Sequence, residues 1–346
     1  MRLLAGLFAA LIAALSVLAP VGALAQQEGS GESNRAPAWV RNAPRPPPVE
    51  SASWMLWDDT NSVVLAADEP DVARRMASTT KLMTALVVAE RADMDEIVEV
   101  PADYIPIGGQ MIGVGRDERW TVEEMLTGLM VKSGNDLADL LAIHVAGSVN
   151  RFVALMNRKA DRLGLENTHF VNPSGLDAEG HHSSAEDLVD IGRAVMDHPE
   201  LARMMRLKSA VLPGSPLRVV TGTNKLLSQV PGAFGLKTGD TPAAGLVLVA
   251  GAERNGRRLY AVVMGSADHF ADAAALLEYG FDAFDPPRRR GAAENRGSAP
   301  TTVATTVPSA TTTTAPADTP PPPPVTEALP TLLDSLGWLG RLFGDD

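Results

Sequence analysis

Met76-Ala77-Ser78-Thr79-Thr80-Lys81-Leu82-Met83-Thr84-Ala85-Leu86 joins a poor helix-forming stretch to an apolar one rich in good helix formers. That change of character predicts a helix beginning close to Ser78 and running to about Ala92. Residues three apart on a helix are neighbours, so Lys81 is expected beside the Ser78 hydroxyl. A serine at a helix start also has orphan backbone N–H groups and the positive end of the helix dipole nearby. A hydroxyl, an amine one turn away and a set of N–H donors are the parts of an activated nucleophile. Taken alone, the same residues read more simply as a Ser/Thr-rich N-cap followed by a surface lysine. The remainder of the chain has to supply the partners.

Two further short patterns follow in order. Ser133-Gly134-Asn135 falls at a predicted helix junction, and Lys237-Thr238-Gly239 on a predicted strand. Lys132-Ser133-Gly134 also fits a K-[ST]-G pattern, but it overlaps the second motif and sits between helices. The elements around them are predicted as follows. Trp54–Trp57 and Val63–Ala66 form a hairpin around the turn residues Asp58-Asp59-Thr60-Asn61. Glu96–Val100 is a strand. Thr121-Val122-Glu123-Glu124 is a capping box opening a helix to about Met130. Helices follow over about 136–146, 150–163 (stopped by Gly164) and 185–197 (stopped before Pro199). Gly235–Gly239 reads as the end of a strand. Leu246–Ala250 and Leu259–Met264 are strands joined through Asn255-Gly256, a strong hairpin turn. A closing helix spans 271–284. Strands at both ends with helices between imply an α+β fold: an antiparallel sheet flanked by helices, with a mostly helical subdomain.

The chain has 346 residues, a formal charge of −12 and 45% apolar residues. The charge argues against nucleic acid as a partner, which needs clustered Lys and Arg. Cysteine is absent, which excludes disulfides, thiolate catalysis and zinc–thiolate sites. Met1-Arg2, the uncharged apolar run Leu3–Leu18 and Ala23-Leu24-Ala25 read as an export signal over residues 1–25. An exported, extracytoplasmic protein on the cell-wall or periplasmic side is therefore expected. Residues 26–50 are rich in Gly, Ser, Pro and Gln and are expected to be an extended linker. The catalytic domain is expected over 51–285. Residues 286–328, rich in Thr, Ala and Pro, read as a disordered spacer. The apolar segment 329–346 is too short to span a bilayer; it reads either as an amphipathic helix on a membrane surface or as a tail that is disordered or docks on the domain.

The three motifs, with Phe170-Val171-Asn172-Pro173-Ser174-Gly175-Leu176 and Gly180-His181-His182-Ser183-Ser184-Ala185-Glu186-Asp187-Leu188, resemble the penicillin-binding-protein and serine β-lactamase superfamily. Within it the chain is most similar to the serine-type D-alanyl-D-alanine carboxypeptidases, over residues of about 50 to 285. The resemblance implies a β-lactamase/transpeptidase-like fold and removal of the terminal D-alanine from peptidoglycan stem pentapeptides. It implies an acyl-enzyme on Ser78 and trapping of the same serine by β-lactams. No cofactor or metal is implied.

The same resemblance assigns roles. Lys81 is the general base, its pKa lowered by burial and by the cation Lys237. Ser133 relays a proton to the leaving amine, and Asn135 orients Lys81 and binds a substrate carbonyl. Lys237, Thr238, Gly239, Asp240 and Thr241 bind substrate. The backbone N–H groups of Ser78 and Asp240 form the oxyanion hole. Asp240 departs from the His or Tyr of many relatives and sets a carboxylate near the place of the substrate's own. Other readings are a serine β-lactamase or D,D-endopeptidase of the same superfamily, or a wall-associated binding protein without turnover. No E-x-x-x-N pattern lies between the second and third motifs, which weighs against fast penicillin hydrolysis. None of the six histidines lies in the three motifs, which weighs against Ser-His-Asp chemistry. His181 and His182 are expected to be structural loop histidines.

Overall fold

The computed structural model describes residues 36–284. The export signal, the spacer and the apolar C-terminal segment lie outside them. In chain order the elements are α1 (Ala38–Arg41), β1 (Ser53–Asp58), β2 (Val63–Asp68), a 3₁₀ turn (Ala77–Thr80), α2 (Lys81–Ala89), β3 (Ile97–Glu99), β4 (Arg119–Thr121), α3 (Val122–Lys132), α4 (Asn135–Ala146) and α5 (Val149–Leu163). There follow α6 (Ala185–Met196), α7 (Pro199–Met204), β5 (Ser209–Leu212), β6 (Arg218–Thr221), α8 (Leu226–Gln229), β7 (Lys237–Thr241), β8 (Gly245–Arg254), β9 (Arg257–Ser266) and α9 (His269–Asp282).

The central sheet has the order β2-β1-β9-β8-β7, and every neighbouring pair in it is antiparallel. It is assembled from both ends of the domain, as the distribution of strand-like runs implies. Both faces are covered, which explains why β8 and β9 read as near-continuous apolar runs rather than clean alternations. Val247, Val249, Tyr260, Val262 and Met264 face the helical block. Leu248, Ala250, Leu259, Ala261 and Val263 face α9 through Leu276 and Leu277. The β8–β9 turn has positive φ at Asn255 and Gly256, the conformation that an Asn-Gly pair adopts in a two-residue hairpin loop.

The helical block is organised on α2, buried from Lys81 to Val88. A helix apolar on all sides belongs in the middle of a core, and α3, α4, α5 and α6 all pack on it. The Thr121 capping box forms as expected, with Glu124 N–H donating to Thr121 Oγ1 and Thr121 N–H to the Glu124 carboxylate.

Some expectations are corrected. Part of the 26–50 stretch is folded rather than an extended linker: α1 forms a single turn, and Trp39, Val40, Ala43 and Val49 pack against the core under α9. The Trp39 ring meets Phe284 edge-on at 6.1 Å, and Tyr279 Oη donates to Pro44 O at 2.6 Å. The prolines in this stretch fix a path across the surface; the two large apolar residues dock it. The helix expected to begin at Ser78 and reach Ala92 instead opens as a 3₁₀ turn and ends at Ala89. Lys237-Thr238-Gly239 begins a strand rather than ending one.

Candidate active site

Ser78 lies in the 3₁₀ turn, one turn before α2. The residue before it, Ala77, is held at φ +48°, a region an L-residue enters at a cost of about 1–2 kcal/mol. Two glycines make room for this turn. A Cβ on Gly175, itself at φ +86°, would sit 2.0 Å from Ala77 O and 2.9 Å from Ser78 N. A Cβ on Gly239 would sit 2.9 Å from Ala77 Cβ and 3.0 Å from Ser78 N. The third motif and the Asn-Pro-Ser-Gly loop therefore press on the Ser78 backbone from two directions, and neither tolerates a side chain there.

Lys81 is fully buried. Its Nζ contacts Ser78 Oγ at 2.9 Å, Asn135 Oδ1 at 2.7 Å and Ser174 O at 2.5 Å. Burial, then the nearby Lys237 cation, lowers its pKa well below the ordinary lysine value, against a smaller opposing effect of Asp136. As an ammonium, Lys81 donates to all three oxygens. As a neutral amine it keeps two N–H donors for Asn135 and Ser174, and its lone pair turns to the Ser78 hydroxyl. The protein fixes two acceptors that cannot give up a proton, so the third contact is the one that reverses.

Lys237, also buried, donates to Ser133 Oγ at 2.9 Å and Thr238 O at 2.8 Å. Burial pulls its pKa down to about 7. Ser133 ends α3 in the left-handed conformation, φ +67°, and Gly134 caps α4. The Ser-Gly-Asn motif is thus a helix-to-helix corner that turns Ser133 to Lys237 and Asn135 to Lys81. A loop from β3 to β4 is clamped over this corner. Asn135 Nδ2 donates to Gly108 O at 2.9 Å. The Asp136 carboxylate accepts from the backbone of Ile112, Gly113 and Val114 at 2.8–3.3 Å.

The flanking stretches serve the same centre. Asn172 Oδ1 accepts from Ser174 N and Gly175 N, and its Nδ2 donates to Leu176 O. This small polar knot aims Ser174 O at Lys81. His181 is a structural histidine, as expected: its Nδ1 accepts from Val171 N at 2.9 Å, and its Nε2 lies 2.8 Å from Thr80 Oγ1. Because Thr80 Oγ1 donates to Ala77 O, the His181 Nε2–H is the donor. Burial, with His182 and other neighbours, pulls the His181 pKa down to about 4, so the ring stays neutral. No cluster of three or more metal-ligating side chains occurs among the described residues.

Between the 3₁₀ turn, the α3–α4 corner, β7 and α9 lies a cavity of about 320 Å³, lined by Ser78, Gln110, Ser133, Thr223, Thr238, Gly239, Asp240, Leu246, His269 and Phe270. The structure therefore brings together Ser78, Lys81, Ser133, Asn135, Lys237, Thr238, Gly239 and Asp240. The Thr241 hydroxyl donates to Asp177 at 2.8 Å and accepts from Ala244 N, tying the β7–β8 turn to the loop after Gly175. Asp240 is exposed and lines the cavity. Sequence reading missed Gln110, Thr223, Leu246, His269 and Phe270. The last two were accessible through a cap signal: Asp268 accepts from Phe270 N and Ala271 N, starting the closing helix two residues before the expected position.

Residues 40–268 match the family model described as D-alanyl-D-alanine carboxypeptidase. The chain is 38% identical over 263 residues to D-alanyl-D-alanine carboxypeptidase DacD of Salmonella typhimurium, covering 71% of this chain and 66% of that protein. It thus spans just under two thirds of that relative's length. Against D-alanyl-D-alanine carboxypeptidase DacB2 of Mycobacterium tuberculosis the identity is 36%, covering 68% of this chain and 84% of the relative. Among solved structures, penicillin binding protein 6B from Escherichia coli superposes with a TM-score of 0.65 at 37% identity, over 70% of this chain and 80% of that one.

Proposed function

Since the chain belongs to the D-alanyl-D-alanine carboxypeptidase family, we propose that it is a serine-type D-alanyl-D-alanine carboxypeptidase acting on peptidoglycan stem pentapeptides from the wall-facing side of the membrane. The observation that carries this reading is the Lys81 amine, buried with a lowered pKa and 2.9 Å from Ser78 Oγ.

Neutral Lys81 takes the Ser78 proton as Oγ attacks the carbonyl of the penultimate D-alanine. Negative charge develops on the carbonyl oxygen, and the backbone N–H groups of Ser78 and Asp240 serve as its donors; β7 is an edge strand, with N–H groups free of the sheet on its outer side. The C–N bond breaks, and the departing amine takes its proton through Ser133, which is hydrogen-bonded to Lys237. The terminal carboxylate is held by the Thr238 hydroxyl within the field of Lys237. Water, activated by the same amine, hydrolyses the Ser78 ester. A β-lactam follows the first half of this path, and its acyl group is held as a slowly hydrolysed ester. Residues from α1 to Phe284 form the catalytic unit, and the export signal delivers it.

The test is release of D-alanine from a pentapeptide stem by the full chain and by its Ser78→Ala variant. Release by the wild type and none by the variant is the expected result. Release undiminished in the variant would sink the assignment.

A further inference from the structure

The stretch before β1 is strapped along the whole length of α9. Trp39 meets Phe284, just beyond the helix end, at 6.1 Å between rings. Pro44 O accepts from Tyr279 Oη in the last turn at 2.6 Å, and Glu50 and Ser51 reach Asp272 in the first turn. The contacts move back along the helix as the chain advances, so residues 39–51 run antiparallel to α9, whose 14 residues measure about 21 Å. At the far end of the strap Asp272, only 8% exposed, gathers three donors. Its Oδ2 accepts from Ser51 Oγ at 2.6 Å and from Ser266 Oγ at 2.7 Å, and its Oδ1 from Glu50 N at 3.2 Å. One carboxylate thus joins the strap, the end of β9 and the first turn of α9. The backbone closes the same corner, with Ala267 N donating to Glu50 O and Ala52 N to Met264 O.

We propose that Asp272 is a positioning residue for substrate binding: through Ser51 and Ser266 it fixes where the first turn of α9 stands, and so how wide the cavity is between that turn and Ser78. The inference rests on the carboxypeptidase reading. His269 and Phe270, three and two residues before Asp272, line the cavity, and Asp272 itself does not. The capping bonds from Phe270 N and Ala271 N to Asp268 stay within the helix start, so they shape the turn without tying it to anything else. The Asp272 bonds are the ones that anchor it to the sheet and to the strap.

The hydrogen bonds of Asp272 lead to neither Lys81, Ser133 nor Lys237, whose partners lie in the helical block, the Asn172–Gly175 loop and β7. Loosening the α9 wall therefore leaves the proton-transfer geometry in place. It lets the first turn drift from a bound peptide, and binding geometry is sensitive to shifts of about 0.5 Å. Contacts made equally with substrate and transition state appear in KM and not in kcat. A purely structural role reads differently: a partly unfolded population lowers kcat per chain and leaves the KM of the folded molecules unchanged.

The experiment measures kcat and KM for D-alanine release from a peptide ending in D-Ala-D-Ala, using the full chain and its Asp272→Ala, Asp272→Asn and Ser51→Ala variants. Asp272→Ala leaves two hydroxyls without their charged acceptor; KM rises about tenfold and kcat moves less than about twofold. In Asp272→Asn the amide still accepts from Glu50 N and can donate to both hydroxyls, so KM stays within about twofold of the wild type. Ser51→Ala cuts the strap from Asp272 and leaves Ser266 in place, and KM rises about threefold; it also carries the test if the alanine variant at 272 does not fold. An unchanged KM in Asp272→Ala and Ser51→Ala, with any loss confined to kcat, overturns the positioning role and leaves the carboxypeptidase reading intact. An asparagine variant no better than the alanine one overturns it as well. A wild type that releases no D-alanine overturns both.

Discussion

The cavity has two walls built on different principles. Behind Ser78 and Ser133, the polar atoms are engaged by the protein itself: Lys81 with Asn135 and Ser174, Lys237 with Ser133 and Thr238, His181 with Thr80 and Val171. Along β7 and the start of α9, Asp240 is exposed, and the buried His269 Nδ1 has no hydrogen-bond partner among the described residues. The first wall is preorganised, with both lysines buried, which suits groups that must exchange a proton without first rearranging. The second keeps unsatisfied polar capacity, which suits the recognition of a ligand. Chemistry and selection are thus carried by different elements: the helical block holds the first, and the sheet edge with its closing helix holds the second.

The largest expected effect breaks the preorganised wall at its centre. Lys81→Ala removes the amine and leaves Asn135 Oδ1 and Ser174 O without their donor. Acylation by a fluorescent penicillin is expected to slow by about 10²–10⁴-fold, the usual worth of a general base. A variant labelled at the wild-type rate would remove Lys81 from the mechanism. Next comes the backbone that the wall rests on. Gly175→Ala puts a methyl group 2.0 Å from Ala77 O at a residue with φ +86°. Strain and overpacking together cost roughly 3 kcal/mol, read as a lower midpoint in urea; an unchanged midpoint would show that the 3₁₀ turn is soft.

The structural histidine gives a pH-dependent test of the same wall. The folded-state pKa of His181 is depressed to about 4 from 6.5. Its contribution to stability is therefore full above pH 6.5 and is lost as pH falls toward 4, where protonation favours the unfolded chain. At 1.36 kcal/mol per unit the loss reaches at most about 3 kcal/mol. His181→Gln, measured by denaturant unfolding between these limits, is expected to flatten that part of the profile. An identical slope in the variant would assign the pH dependence to other groups.

The smallest effect belongs to the recognition wall and sharpens the contrast. Asp240→Asn removes an exposed like charge near the substrate carboxylate, and exposed charge interactions are worth about 0.2–1 kcal/mol. KM for an acidic peptide is expected to fall by about two- to fivefold with kcat nearly constant, and the gain should shrink in high salt. A rise in KM would mean that Asp240 binds something positive in the substrate.

The two walls also differ in how far they could be read from the sequence. Ser78 and Lys81 are three apart on one element, so their contact follows from helix geometry alone. The Ser-Gly-Asn corner declares itself by breaking a helical pattern, and Asn255-Gly256 marks its hairpin locally. The recognition wall offers no such signal. Gln110 lies in an irregular loop, Thr223 follows β6, and His269 reaches the cavity only because β9 pairs with both β1 and β8. The β5–β6 hairpin was unreadable for a related reason. Leu212 and Val220 are buried, but their apolar strand neighbours Val211 and Val219 are 62% and 76% exposed, so burial alternates along the hairpin while the apolar pattern of the sequence does not. The contact of the Thr241 hydroxyl with Asp177 was likewise illegible, because it joins β7 to a loop 64 residues away in the chain.

The central claim is that Ser78, activated by Lys81, is the residue that becomes acylated. Mass spectrometry of the full chain after incubation with penicillin tests it most directly, with the adduct located by fragmentation. The expected result is one penicilloyl group per chain, on Ser78. An adduct on Ser133 or any other residue, or none under conditions where the protein is folded, would contradict it.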